Sequence, residues 1–211
     1  MKSYYRLPKH IGIIPDGNRR WAQQNGMHKE DGYSYGINPG LKLYQECVLL
    51  GIKEITFYGF TKDNTKRPAV QTKAFTKACI DSVSELLKHD ANLLIVGDTK
   101  SPLFPKELLP YTTRTVIGKG LINVNFLVNY SWDWDLNYAD NKGSGKIASY
   151  DISRIDLIIR WGGRRRLSGF LPIQSVYADF YIIDKMWPDF KIEHLYEALD
   201  WFQKQDDTLG G

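Results

Sequence analysis

Cysteine is scarce in this 211-residue chain: Cys47 and Cys79 stand alone, with no paired spacing, which argues against a disulfide framework. No basic leader with an apolar core precedes them, so the sequence reads as a cytoplasmic protein. Long apolar runs are missing too. The longest are strand-length, against the ~20 residues of a membrane-spanning helix, which leaves at most a peripheral membrane contact. Nor does one charge dominate: the net charge is +4, and the positive residues gather beside glycines rather than in tracts. That pattern fits a discrete phosphate-bearing ligand and not a nucleic acid backbone. There is no internal repeat. What is present is apolar substance, with 43% hydrophobic residues, enough for the core of one domain spanning 1–211.

Apolar runs and breakers divide the chain into alternating elements. Strands are expected over 10–15, 52–60, 93–96, 121–128, 155–160 and 180–183. Helices are expected over 20–25, 41–50, 69–88, 108–117 and 192–203. The stretch from Met27 to Gly40 holds too many glycines, with Asn38 and Pro39, to be regular throughout. Asn129 to Ser153 shows no clear period and reads as a surface loop, disordered near Asn141–Gly145. The alternation predicts an α/β domain with a mostly parallel central sheet of about six strands flanked by helices.

The chain is organised around Asp16-Gly17-Asn18-Arg19-Arg20-Trp21, directly behind the apolar run Ile11–Pro15. A strand that stops at a tight turn before a helix exposes free N–H groups at the carboxyl edge of a sheet, where phosphates bind. Arginines add bidentate contacts there. A carboxylate in the same place would be repelled by bare phosphate, so Asp16 points to a divalent cation or to proton transfer. A plain strand-to-helix turn capped by Asp16 would use the same residues. A second strand ends at Arg160, and Gly162, Gly163, Arg164, Arg165, Arg166 and Ser168 follow. Four arginines in seven positions repel one another unless they share an anion, so this block reads as a diphosphate site.

Three motifs in order carry a resemblance. His10 to Ala22 resembles the opening signature of the cis-prenyltransferases, the family of undecaprenyl diphosphate synthase. Arg160-Trp-Gly162-Gly163-Arg-Arg-Arg166-Leu-Ser168 is similar to the family's arginine block, and Tyr177–Tyr181 with Trp187-Pro188-Asp189-Phe190 closes the series. Thr61, Asn64 and Arg67 match the family's Ser-x-x-Asn-x-x-Arg loop, which the resemblance places between two substrates with Thr61 and Asn64 in catalytic roles. It also implies that Gly17, Asn18, Arg19, Arg20, Trp21, Lys29 and Tyr33 hold the allylic diphosphate. Arg160, Arg166 and Ser168 would hold the acceptor. Asp16 and Asp179 would serve magnesium, Asp179 standing where the family has the longer glutamate. Lys29, Tyr33, Thr65 and Arg164 depart from the family's usual arginine, histidine, tryptophan and acid.

The resemblance implies a magnesium-assisted prenyltransferase. It would join an allylic diphosphate (dimethylallyl, geranyl or farnesyl) to isopentenyl diphosphate, as a homodimer. No Asp-Asp-x-x-Asp pair exists, since Asp206-Asp207 is followed by Thr-Leu, which argues against the all-helical trans-type enzymes. Head-to-middle coupling of two dimethylallyl units, as in lavandulyl-type enzymes, is a rival. So is a non-catalytic partner subunit, although the intact Asp16 and arginine block speak against it. The stretch between Arg67 and Gly97 is about one turn, ~5.4 Å, shorter than in long-chain members, which implies a short product with Phe75 at the tunnel floor.

Overall fold

The structure is a computed structural model and describes residues 3–138 and 145–206. The centre of the expected loop at Asn141–Ser144, and Asp207, lie outside them. Among the described residues seven strands form one sheet: β1 (His10–Ile14), β2 (Glu54–Tyr58), β3 (Ala91–Val96), β4 (Thr115–Ile117), β5 (Asn123–Leu127), β6 (Leu157–Trp161) and β7 (Asp179–Ile183). Their order is β4-β3-β5-β2-β1-β6-β7. All neighbours are parallel except β3 and β4. Among the described residues the helices are α1 (Asn18–Gln24), α2 (Ile37–Leu49), α3 (Ala69–Leu86), α4 (Trp132–Leu136) and α5 (Ile192–Phe202).

The central strands read as continuous apolar runs because both of their faces are covered. Every residue of β1, β2 and β6 is buried. On one face Ile11, Ile13, Ile55, Phe57, Leu93, Ile95 and Phe126 pack with apolar residues of α2, α3 and α5, such as Leu43, Val83 and Leu199. Each such side chain is worth roughly 1.5–3 kcal/mol when fully buried. On the other face Ile14, Tyr58, Leu94, Leu127 and Ile158 pack against Phe170 and Leu171.

The amino half of that second face is polar and internally satisfied. His10 Nε2 meets Thr56 Oγ1 at 2.8 Å, while Asn125 donates to Thr56 Oγ1 at 2.8 Å and to Glu54 Oε1 at 2.7 Å. Arg114 in turn donates to Asn125 Oδ1 at 2.9 Å.

Three expectations need correction. The helix over 108–117 does not form: a 3-10 turn at Lys106–Tyr111 contains Pro110, and Thr115–Ile117 then pairs antiparallel with β3 as a seventh strand. Proline ends the helical ladder, and the β-branched run that follows suits an edge strand. The breaker-rich segment is more regular than expected, with a 3-10 turn at Asp31–Gly36 leading straight into α2 at Ile37. Pro39 is tolerated because the first-turn N–H groups need no partner. The segment after Asn129 holds a helical turn, α4, where only loop was expected.

Candidate active site

The two arginine-bearing motifs, far apart in sequence, are neighbours in the sheet. β1 and β6 lie side by side with Ile14 opposite Arg160, so Asp16 stands just past the carboxyl end at which Arg160 emerges. Arg160 Nη2 donates to Asp16 Oδ2 at 2.8 Å. The guanidinium is buried, while the carboxylate is 34% exposed toward the cleft. Arg160 Nη1 also donates to Ser168 Oγ at 2.9 Å and to the carbonyl of Arg166, which leaves the Ser168 hydroxyl hydrogen free to donate. Asp16 Oδ1 accepts from the Gly17 N–H at 2.6 Å and faces Arg20 Nη2 at 3.7 Å.

Around this pair opens a polar cleft of about 1020 Å³, lined by the turn after β1, the loop after β2, the start of α4 and the arginine block. Its walls carry nine basic side chains against three carboxylates, Asp16, Asp63 and Asp133. Such an excess in one concavity favours a multiply charged anion. Gly162 and Gly163 take positive φ, as the turn requires.

A second space continues from the cleft into the helical side of the sheet. It is an apolar cavity of about 80 Å³, walled by Leu41, Phe57, Ala78, Cys79, Leu86 and Phe126 among others. Pro15, Asn18, Tyr33, Tyr58, Gly59 and Phe75 line both spaces and form the throat between them, which puts Phe75 at the entry of the cavity and not at the floor expected of it. Within the throat Tyr33 lies flat on Phe75, centroids 4.5 Å apart with 2° between planes. Phe60 meets Phe75 edge-on at 5.4 Å. Arg67 donates to the Tyr33 hydroxyl at 2.9 Å. Burial pushes the Tyr33 phenol above its ordinary pKa, with Arg67 and Arg19 pulling it partly back, so it stays protonated and can donate into the cleft. Tyr33 reaches this place because Gly32 has no side chain: a Cβ there would lie 2.1 Å from the carbonyl oxygen of Asn18.

The family model described as putative undecaprenyl diphosphate synthase matches residues 14–210. The chain belongs to this family, the cis-prenyltransferases. Ditrans,polycis-undecaprenyl-diphosphate synthase ((2E,6E)-farnesyl-diphosphate specific) of Aliivibrio fischeri is 31% identical over 229 residues, covering 97% of this chain and 89% of its own. The enzyme of the same description from Haemophilus ducreyi is 33% identical, with 97% and 95% covered. An isoprenyl transferase of Clostridium perfringens is 30% identical, with 98% and 91% covered. A crystal structure of lavandulyl diphosphate synthase from Lavandula x intermedia in complex with dimethylallyl diphosphate shares the fold. It superimposes with a TM-score of 0.79 at 24% identity, over 97% of this chain and 98% of that one.

In this cis-prenyltransferase the cleft gathers most of the residues singled out in the sequence: Asp16, Gly17, Asn18, Arg19, Arg20, Lys29, Tyr33, Thr61, Asn64, Arg67, Arg160, Arg166 and Ser168 all line it. Two do not join them. Trp21 turns its indole N–H to Asp189 Oδ1 at 2.7 Å and packs on Tyr35, so it braces α1 from outside the cleft. Asp179 opens β7 beside Leu157, at the amino end of the sheet, three positions and roughly 10 Å along the strand from the level of Arg160. The Thr61 N–H donates to Asn64 Oδ1 at 3.1 Å, so these two also hold their own turn.

Sequence reasoning passed over Tyr58, Lys62, Trp132 and Asp133 on the walls. Tyr58 donates to the carbonyl of Ser168 at 2.7 Å and ties β2 to the arginine block. Its place as the last residue of β2 was a usable signal, since strand ends supply sites in such sheets. Among the described residues no helix is long and apolar enough to cross a membrane.

Proposed function

We propose that this chain condenses an allylic isoprenoid diphosphate with isopentenyl diphosphate, giving a short cis-prenyl diphosphate of roughly C10 to C20. The observation that carries this reading is the junction of a basic cleft with an apolar cavity through one throat. Only an amphipathic ligand with an anionic head and a hydrocarbon tail uses both. The cavity's size supports a short tail, since about 80 Å³ is roughly half of the engineered cavity that admits benzene. The relatives support it as well: 97% of this chain is spread over 229 aligned positions of the Aliivibrio fischeri enzyme, so that protein carries insertions this one lacks.

In this reading the turn from Asp16 to Arg20 binds the donor diphosphate, with its tail passing Tyr33 and Phe75. Arg160, Arg166 and Ser168 bind the acceptor diphosphate, with Thr61, Asn64 and Arg67 between the two. Asp16 is a partly exposed carboxylate at the cleft floor. It suits magnesium, which is commonly held by one or two carboxylates plus substrate phosphates. Bound there, the ion would supply charge stabilisation to the departing diphosphate. Arg160 holds the Asp16 carboxylate in position, Arg19 and Arg20 orient the donor, and the Tyr33 and Ser168 hydroxyls donate to diphosphate oxygens. Asp179, at the other end of the sheet, has no part in a site built from one chain. A homodimer is expected, with the exposed Ile173, Val176 and Tyr177 beside edge strand β7 as its surface, and light scattering reads it directly.

The test is incubation of purified protein with magnesium and dimethylallyl, geranyl or farnesyl diphosphate, with and without isopentenyl diphosphate, followed by product identification. A short regular product formed only with isopentenyl diphosphate supports the reading. Product from dimethylallyl diphosphate alone would move the assignment to head-to-middle coupling. Chains of C50 or more, about the long-chain class, would overturn the short-product reading.

A further inference from the structure

Trp132 is a large apolar side chain, 51% exposed, on the wall of a cleft rich in basic side chains. Its position is built rather than incidental. α4 is pinned from beneath by Asp135, 2% exposed, which accepts from the Tyr130 hydroxyl at 2.8 Å and from the Ser149 N–H and hydroxyl at 2.8 and 2.7 Å. Trp134 packs edge-on against Tyr130 at 6.3 Å. With those two committed to the interior, the single turn of helix presents Trp132 and Asp133 to the cleft. The indole leans on the Ser168–Gly169 turn, where a Cβ on Gly169 would lie 2.8 Å from Trp132 Cδ1. Ser168 is the residue whose hydroxyl Arg160 holds.

We propose that Trp132 is the contact surface for the hydrocarbon tail of the acceptor diphosphate and so selects the acceptor, an inference that rests on the two-diphosphate reading above. A diphosphate anchored by Arg160, Arg166 and Ser168 has the exposed indole as a large apolar neighbour across Gly169, while the Tyr58 hydroxyl beside it is committed to the Ser168 carbonyl. Charge fixes which end of the acceptor faces α4: the Asp133 carboxylate repels the diphosphate, and the indole beside it takes the uncharged tail. The donor tail does not compete for this surface, because its cavity lies beyond the Tyr33–Phe75 throat, in the space walled by Phe57, Ala78 and Phe126. A single exposed aromatic on an open surface carries no such meaning. Trp132 differs in facing the concavity where the acceptor head binds.

Calorimetry on the whole protein with magnesium tests this, using isopentenyl diphosphate, inorganic diphosphate and an unreactive thiolo analogue of dimethylallyl diphosphate as probes. Wild type should bind isopentenyl diphosphate more tightly than inorganic diphosphate, and Trp132→Ala should lose about fivefold or more of that preference while Trp132→Phe keeps most of it. Inorganic diphosphate and the thiolo analogue should change by less than about twofold in Trp132→Ala. Equal weakening of all three probes, or no change in any, overturns the role of Trp132 and leaves the two-diphosphate reading standing. Wild-type protein that binds none of the probes overturns both.

Discussion

Arg160 and Asp16 meet at 2.8 Å although 144 positions separate them in sequence. The buried guanidinium shares one carboxylate oxygen, and the other faces the first turn of α1. Asp16→Ala should therefore separate two properties. Turnover should fall by more than about tenfold, a loss above ~1.4 kcal/mol, because the carboxylate that would serve the metal is gone. In chelator, inorganic diphosphate should bind more tightly than to wild type, because Arg160 is released and a repelling charge removed. Calorimetry in chelator beside a steady-state assay reads both, and unchanged turnover would overturn the role of Asp16.

Arg166→Ala should weaken the acceptor far more than the donor. The backbone carbonyl of Arg166 is engaged by Arg160, while its exposed side chain stands on the cleft wall beside Ser168. A bidentate contact to diphosphate is worth about 1.5–3 kcal/mol, so the acceptor KM should rise by roughly tenfold or more. Equal change in both KM values refutes the division between the two binding places.

Phe75→Ala should lengthen the product by about one five-carbon unit or more, because it removes a ring that lines the apolar cavity and so adds to the space open to the tail. Product chromatography decides it. An unchanged product would place the limit on chain length elsewhere along the cavity.

His10 gives a prediction about acid. Burial lowers its pKa in the folded chain, against the opposite pull of the Glu54 and Asp156 carboxylates. Below the ordinary histidine value of about 6.5, the unfolded chain takes up a proton that the native state resists. This contribution is complete above that pH and is lost as the pH falls further. Thermal unfolding should show Tm dropping between about pH 6.5 and 5, and less so in His10→Gln. An identical drop in the variant would assign the acid sensitivity to other groups.

How much could be read from residues alone depended on how local the cause was. The β1 run Ile11–Ile14 and the turn at Asp16-Gly17 were legible because burial on both sides leaves an unbroken apolar signature. The stop at Arg160-Trp161-Gly162 was legible for the same reason. The helix expected over 108–117 failed where apolar spacing outweighed Pro110 and the threonines beyond it. The Arg160–Asp16 contact was not legible, since the register of parallel strands is set by the whole sheet; the resemblance implies the acceptor for Arg160 and magnesium for Asp16, with no contact between them. Tyr33 was reached only through a resemblance, and its stacking on Phe75 depends on Gly32 meeting the carbonyl of Asn18.

The polar web of His10, Thr56, Glu54 and Asn125 has one more consequence. These residues fall on the same side of the sheet as Tyr58 and Arg160, by the two-residue alternation of the strands. Their hydrogen-bonding capacity is spent on one another, so a hydrocarbon chain pushed that way would strand donors and acceptors with nothing to replace them. On the proposed function the sheet is in effect a one-way partition: its wired side turns a hydrocarbon back, and a tail would be threaded past Tyr33 to the helical side. On that reading the direction of growth is written into the sheet before any residue of the cavity is chosen.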